Sequence, residues 1–156
     1  MSYNRFIQSF KKIPKDLFRL NTSTTVRLRA QPGPLRPQRS FDLLTIAGKA
    51  QPKALNPDTY EWPNGASMRP NSVTQQNLVQ SFKGSTVYVY SVPAGTELPD
   101  DLILVHEFGD HYSLQAMRSR PHRTEELNAK ITDFLNSKGE CLTKEEWQQR
   151  YPQATE

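Results

Sequence analysis

The chain has almost no cysteine and no long apolar run, and each shortage excludes a class of protein. Cys141 is the single cysteine among 156 residues, so a disulfide cannot form within the chain. One cysteine and three histidines also leave little for a structural zinc site, and we expect no metal. No segment approaches the roughly 18 apolar residues of a membrane span, and the first 20 residues lack the apolar stretch of a secretory signal. We therefore expect a cytoplasmic protein with no membrane partner.

Apolar residues are scarce as well, at 35% of the chain against about 45–50% in typical globular domains. Twelve prolines restrict the backbone and remove hydrogen-bond donors, so they interrupt strands and prevent long helices. Aromatic residues nevertheless make up 10% of the chain and lie inside patterned segments, which argues against disorder. Length and composition together predict a small globular fold with a modest core and long connections.

Basic residues are concentrated at the front of the chain. Residues 1–40 carry nine lysines and arginines and one acid, Asp16, whereas residues 41–156 carry eleven basic and fifteen acidic side chains. A basic segment of this kind favours an anionic partner, either a phosphate-bearing small molecule or a nucleic-acid backbone. A solvated basic surface is the alternative. Arg27 and Arg29 are more suggestive, because a strand would place both on one face.

Short patterned segments fill the first part of the chain. The apolar spacing in residues 4–12 predicts a short helix. Alternation from Asp16 to Asn21 predicts a strand, and residues 24–29 predict a second strand or an extended segment.

Stronger signals begin at Ser72, which together with Gln75 matches a helix capping box. The helix that follows is expected to stop at Gly84. Residues 86–92 are the clearest strand because they are β-branched and aromatic. Residues 102–108 are apolar on both faces and are expected to lie centrally in a sheet, joined by a Gly-Asp hairpin turn to a partner strand over residues 111–117.

The last part of the chain is predicted to be helical. Thr124 is expected to cap a helix with two glutamates in its first turn, which favours the helix dipole, and this helix closes at Gly139. Its predicted buried stripe comprises Leu127, Ile131, Phe134 and Leu135. A second capping box, residues 143–146, precedes a short helix. The pattern as a whole predicts an α+β fold.

Few residues form a recognisable catalytic motif. The sequence HEFGDH over His106–His111 is similar to the H-E-x-x-H zinc motif, but its second histidine comes one residue too late for one helical turn. Phosphate-binding and dinucleotide-binding glycine loops, nucleophile elbows and C-x-x-C pairs do not occur. Each candidate residue also has a purely structural explanation, such as an ion pair at a strand edge, a capped turn or a position in the core. The candidates for chemistry are scattered: Arg19, Tyr60, Ser67, Glu107, His111 and Tyr112.

Taken in order, four segments resemble the type VI secretion exported effector two (Tse-two) toxin family, and especially its fungal members. The resemblance runs colinearly from about Asp16 to Leu135. It rests on DLFRLN around Arg19, DTYEWPNGASMRP around Tyr60 to Ser67, VPAGTELPDDL over Val92 to Leu102, and HYSLQAM with the helix that follows. The family implies a compact ADP-ribosyltransferase-like split β-sheet core with peripheral helices, here residues 15–139. Residues 1–14 would be an N-terminal extension, and residues 140–156 a C-terminal helical tail packed on the same domain.

The resemblance also implies roles for particular residues. Arg19 would hold the phosphates of NAD, since a guanidinium can bind them in a bidentate manner. Ser67, with Ala66 where the bacterial toxin has a threonine, would contact the ribose or orient a catalytic side chain. Tyr60 and Trp62 would stack on or enclose the nicotinamide.

The third catalytic element is either Glu107 or the pair His111 and Tyr112. Most ADP-ribosyltransferases use a late-strand glutamate on the ribose 2′-hydroxyl, which stabilises the positive charge that develops on the ribose as nicotinamide departs. The toxin family's own motif is matched more closely by His111 and Tyr112. His111 would then bind a phosphate or a ribose hydroxyl, or act as a base on the acceptor.

The function implied is that of an intracellular toxin that consumes NAD as co-substrate. It would transfer ADP-ribose to a protein or nucleic acid, or to water as an NAD glycohydrolase. An immunity protein is an expected partner if the toxin is retained in its own cell. The alternative is a non-catalytic nucleotide- or nucleic-acid-binding module. Tyr88 and Tyr90 lie on one strand face and could stack nucleic-acid bases in such a module. Packing of the two rings against neighbouring strands would explain them without any binding function.

Overall fold

The computed structural model describes residues 7–28, 30–32, 43–46, 49–50, 54, 58, 60, 64–84, 86–116 and 122–156. Three helices lie in this part of the chain: α1 (Val73–Ser81), α2 (Thr124–Lys138) and α3 (Lys144–Arg150). The strands in it are β1 (Gln8–Phe10), β2 (Leu17–Asn21), β3 (Ala30–Pro32), β4 (Leu43–Ile46), β5 (Lys49–Ala50), β6 (Ala66–Met68), β7 (Tyr88–Val92), β8 (Leu102–Phe108), β9 (His111–Ala116), β10 (His122–Arg123) and β11 (Glu140–Thr143). The fold is therefore α+β. None of the helices described has the length and apolar character needed to cross a membrane.

Two antiparallel sheets form the centre of the fold. One has the order β1-β8-β9-β6 and the other β11-β7-β2. The two sheets meet where β2 runs beside the end of β6. There Phe18 and Arg69 exchange backbone hydrogen bonds of 2.7 and 2.9 Å. This is the split β-sheet core expected from the sequence. A third sheet has the order β10-β5-β4-β3.

Strand alternation distributes the apolar side chains over three clusters. In β2, Leu17 faces the main cluster, which α2 also lines, while Phe18 faces a second cluster around Trp147. In β8, Leu102 and Leu104 join the main cluster, whereas Ile103 and Val105 face the other side of the sheet. The third cluster, on that other side, consists of Ala54, Tyr60, Ile103 and Val105.

The strongest local patterns are confirmed by the structure. Strands β2, β7, β8 and β9 lie where the alternation and β-branched content predicted them, and β8 is central. Gly109 turns the hairpin with a positive φ of 45°, which favours glycine. The Ser72 side chain caps α1 by accepting from the Gln75 backbone N–H, and the capping box of α3 is present.

Several local predictions are wrong, and α1 ends at Ser81 rather than at Gly84. Instead of a helix over residues 4–12, Gln8–Phe10 forms β1 and pairs with β8, because the edge of an apolar central strand offers hydrogen bonds that a short isolated helix cannot match. The expected cap at Thr124 is one residue late, since Arg123 is the N-cap of α2. In the segment expected as helical tail, Glu140–Thr143 forms β11 and pairs with β7.

Residues 24–28 do not form a strand: residues 24 and 25 lie in a bend, and residues 26–28 have no regular secondary structure. The backbone N–H groups of Val26 and Leu28 donate to Thr132 Oγ1 and Asn128 Oδ1 on α2, at 2.8 and 2.9 Å. These helix side chains take the place of a neighbouring strand. Arg29, which was predicted to share a strand face with Arg27, lies outside the described residues.

Candidate active site

Arg19 and Ser67 lie side by side at the junction of the two sheets. The bridge between Phe18 and Arg69 brings the neighbouring residues of β2 and β6 together. Arg19 Nη1 donates to the Ser67 backbone carbonyl at 3.1 Å. Two residues that are 48 positions apart in the chain therefore share one site, as the resemblance required.

His111 and Glu107 follow Ser67 in a chain of contacts. His111 Nε2 lies 3.0 Å from Ser67 Oγ, and His111 Nδ1 lies 2.7 Å from Glu107 Oε1. The Phe108 ring stacks on the imidazole with a centroid distance of 5.0 Å and an interplanar angle of 10°. The Glu107 side chain is 0% exposed, so His111 separates it from Ser67. Glu107 and His111, the two alternatives for the third catalytic element, therefore lie in one chain of contacts, with His111 between Glu107 and Ser67.

Three buried polar side chains form a row of hydrogen bonds on the far side of Glu107 from His111. Tyr60 Oη donates to Glu107 Oε2 at 2.5 Å, and Gln115 Nε2 donates to Tyr60 Oη. Asn64 Nδ2 donates in turn to Gln115 Oε1 at 3.3 Å. Burial and the neighbouring Glu107 carboxylate raise the pKa of the Tyr60 phenol above its ordinary value, so its proton is retained.

A cleft of about 490 Å³ opens in front of Arg19 and Ser67. Arg27 and Arg69 also line it, so three guanidinium groups border one concavity. Burial lowers the pKa of Arg69, and Asp110, 3.9 Å from its Nε, offsets part of that shift. Such a concentration of guanidinium groups can bind an anion with two phosphates.

Arg69 and Gln75 also line this cleft, and neither was predicted from the sequence as a site residue. Arg69 lies two positions after Ser67, directly after the end of β6, and this spacing in an extended segment was the available signal that both face one side. Gln75 is 1% exposed and lines the cleft, and its Nε2 has no partner among the described residues. No pattern in the sequence distinguished Gln75 from an ordinary capping-box residue.

A larger cavity of about 670 Å³ lies elsewhere, between residues 96–101 and α2. It contains the ion pair of Lys130 and Asp101 but none of the candidate site residues. We place the candidate site in the smaller cleft, because that is where the guanidinium groups and the Ser67–His111 contact converge.

Several sequence candidates lie outside this cleft. Tyr112 and Ala66 face the main apolar cluster on the opposite side of the sheet, and the Tyr112 ring stacks on His106 at 4.3 Å. The Tyr60 ring belongs to the third apolar cluster, with only its hydroxyl engaged at Glu107. The structure therefore does not place the Tyr60 ring where it could stack on a nicotinamide in this cleft, and Ala66 and Tyr112 do not line the cleft. Trp62 lies outside the described residues.

The two histidines of HEFGDH are directed apart rather than toward a common metal. His106 Nε2 contacts the Gly109 carbonyl at 2.7 Å and its ring stacks on Tyr112, whereas His111 faces Ser67. His106 pairs with Tyr112 across the two strands and shares its face, whereas His111 is adjacent to Tyr112 on β9 and faces the opposite side of the sheet.

The structure also bears on the alternative in which Tyr88 and Tyr90 stack nucleic-acid bases. Tyr90 is 0% exposed and its hydroxyl donates to the Thr24 carbonyl at 2.6 Å. A nucleic-acid base therefore has no access to the Tyr90 ring, and a stacking surface made with Tyr88 is excluded.

An α+β domain with a split antiparallel sheet, and with arginine, serine and histidine meeting at the split, is consistent with the ADP-ribosyltransferase class. The family model of the Tse2 ADP-ribosyltransferase toxin matches residues 15–147. This match covers most of the chain, and the chain belongs to that family. Comparisons with curated proteins and with solved structures gave no match.

Proposed function

We propose that the chain cleaves the nicotinamide–ribose bond of NAD in the cleft between β2 and β6 and transfers ADP-ribose to an acceptor. The acceptor is a protein or nucleic acid, with water as the competing acceptor. The observation that carries this proposal is the contact of Ser67 with both Arg19 and His111 at the edge of a cleft lined by three guanidinium groups.

The cationic wall of the cleft suits the pyrophosphate of a dinucleotide. Arg19, Arg27 and Arg69 border the same concavity, and Asp110 is the carboxylate in contact with one of them. Arg19 is held by the Ser67 carbonyl, which orients its planar guanidinium before a ligand arrives. A pre-oriented fork binds phosphate oxygens with less loss of side-chain entropy than a free one.

The pair of Ser67 and His111 defines the reacting end of the cleft. Positive charge develops on the ribose as nicotinamide leaves, so an oriented hydroxyl that accepts from a ribose hydroxyl stabilises the transition state. Glu107 is enclosed by His111 and Tyr60, and its carboxylate does not line the cleft. We therefore assign direct ribose contact to Ser67 rather than to Glu107.

Release of nicotinamide on incubation with NAD, followed by mass spectrometry, tests this function. Arg19→Ala is expected to lower turnover about 100-fold or more, because the phosphates are no longer positioned. Arg19→Lys keeps the charge without the bidentate fork and should recover only part of it. Arg150→Ala is the matched control, since Arg150 is an exposed arginine paired with Glu140.

Two results would contradict the proposal. A folded Arg19→Ala variant that retains full turnover would remove Arg19 from its role. Stabilisation of the wild-type chain by NAD without any loss of NAD would instead support the non-catalytic binding module. The same mass spectrometry, run with candidate proteins and nucleic acids, identifies the acceptor, and co-purification with a neutralising protein tests for an immunity partner.

A further inference from the structure

We propose that Glu107, Tyr60 and Gln115 are positioning residues that hold His111 with its proton on Nδ1, so that Nε2 accepts the Ser67 hydroxyl proton. This inference rests on the proposed function only in taking Ser67 as the group that meets the ribose. The assignment of protons along the chain of contacts stands on the structure alone.

The direction of the hydrogen bonds can be followed from the amide end. An amide nitrogen only donates, so Gln115 Nε2 donates to Tyr60 Oη while Gln115 Oε1 accepts from Asn64. The Tyr60 hydroxyl has one proton, and it lies 2.5 Å from Glu107 Oε2. That proton is therefore given to the carboxylate.

The same direction continues through the carboxylate to Ser67. An ionised carboxylate has no proton to donate, and a lone pair on His111 Nδ1 would be repelled by Glu107 Oε1 at 2.7 Å, so this contact favours the proton on Nδ1. A neutral imidazole then has a lone pair on Nε2. At 3.0 Å this lone pair accepts from Ser67 Oγ, which makes Ser67 the donor.

Burial is what makes this arrangement rigid. Tyr60 and Glu107 are 2% and 1% exposed, and Gln115 is 0% exposed. A buried carboxylate is costly unless its oxygens are hydrogen-bonded, and here one oxygen is bonded to a phenol and the other is in contact with an imidazole. The Phe108 ring stacked on His111 limits rotation of the imidazole. Each group is therefore held by two neighbouring protein groups.

These contacts explain how the buried Glu107 carboxylate can influence a ligand in the cleft. With its proton directed to His111, Ser67 Oγ presents lone pairs to a ribose hydroxyl. As that hydroxyl donates to Ser67, the contacts of Ser67 with His111 and of His111 with Glu107 polarise one another, and no proton is transferred along them. The same logic operates where a carboxylate orients a histidine beside a serine in hydrolases. Glu107 thus supports the cationic transition state without touching the substrate.

Long-range proton–nitrogen correlation spectra of the full-length chain, labelled with ¹⁵N, measure the tautomer of His111 directly. At about pH 8, where an imidazole is ordinarily neutral, we expect the Nδ1–H form in the wild-type chain. In Glu107→Gln, Tyr60 continues to donate to the amide oxygen, so the amide nitrogen donates to His111 Nδ1 and the proton moves to Nε2. Turnover of NAD should then fall about 100-fold or more.

Two further variants separate positioning from general destabilisation. Tyr60→Phe keeps the Glu107 carboxylate, so it should keep the Nδ1–H tautomer and lose less turnover than Glu107→Gln. Glu97→Gln, a neutralised carboxylate on the exposed surface, is the matched control and should change neither readout.

The proposal is overturned if wild-type His111 has its proton on Nε2 or on both nitrogens. It is also overturned if a folded Glu107→Gln variant keeps the Nδ1–H form. The wild-type spectrum decides the question even if Glu107→Gln does not fold. An Nδ1–H tautomer in a chain that does not consume NAD would refute the proposed function but leave this inference standing.

Discussion

Gly65, which directly precedes β6, has no room for a side chain. A Cβ built there would lie 2.1 Å from the backbone oxygen of Leu114 and 2.8 Å from Ser113 Oγ, both on the adjacent strand β9. The nearest atom belongs to backbone, so it cannot rotate away as a flexible side chain would. Gly65→Ala therefore requires β6 to move away from β9.

We expect this substitution to lower the free energy of unfolding by about 3 kcal/mol, because two costs add. Insertion of a methyl group into a packed site costs about 1–3 kcal/mol, and each disturbed hydrogen bond of the strand ladder adds about 1 kcal/mol. The displacement also reaches Ser67, two residues along β6, whose Oγ lies 3.0 Å from His111 Nε2. A shift of about 1 Å at a catalytic contact can lower turnover about 100-fold.

Urea unfolding followed by circular dichroism measures the first effect, and nicotinamide release measures the second. Gly95→Ala is the matched control, because Gly95 has a φ of 86° and no atom within 4 Å of the position that a Cβ would occupy. That variant should lose only the roughly 1–2 kcal/mol of left-handed backbone strain and keep its turnover. If Gly65→Ala stays within about 0.5 kcal/mol of wild type, β6 is not packed against β9 as the structure has it.

Two other predictions concern stability. Trp147 is 0% exposed and packs edge-on against Phe18 at 5.5 Å, so Trp147→Ala should lower the free energy of unfolding by about 3–5 kcal/mol in urea titration, and a loss under about 1 kcal/mol would contradict this packing. Burial raises the pKa of Tyr90 from 10.0 to about 12, so the folded chain favours the neutral phenol. Its contribution to stability is full below about pH 10 and is lost as pH rises toward about 12; Tyr90→Phe should flatten this alkaline decline, and an unchanged slope in urea midpoints measured across that range would contradict the assignment.

Local sequence patterns were sufficient for the elements whose stability depends on neighbouring residues. The Ser72 cap of α1 and the capping box of α3 depend on groups three residues apart, and both are present. The hairpin of β8 and β9 depends on a glycine turn between two apolar strands, which is also a local feature. These elements could be predicted because each satisfies its own hydrogen bonds or its own turn geometry.

Partner choice between distant segments could not be predicted in this way. Residues 4–12 have a helix-like apolar spacing, yet Gln8–Phe10 within them adds to the edge of β8, far along the chain. Glu140–Thr143 similarly completes the sheet beside β7. Such pairings depend on which strand edges remain unpaired after the rest of the chain has folded. The sequence of the segment itself does not specify those edges.

The amino-acid sequence determined which kinds of group the candidate site has: a guanidinium at position 19, a hydroxyl at 67, and a carboxylate and an imidazole at 107 and 111. Only the tertiary structure decided their order, with His111 between Ser67 and Glu107 and with Tyr60 behind the carboxylate rather than in the cleft. Strand alternation specifies the face on which a side chain lies, but what packs against that face comes from another part of the chain.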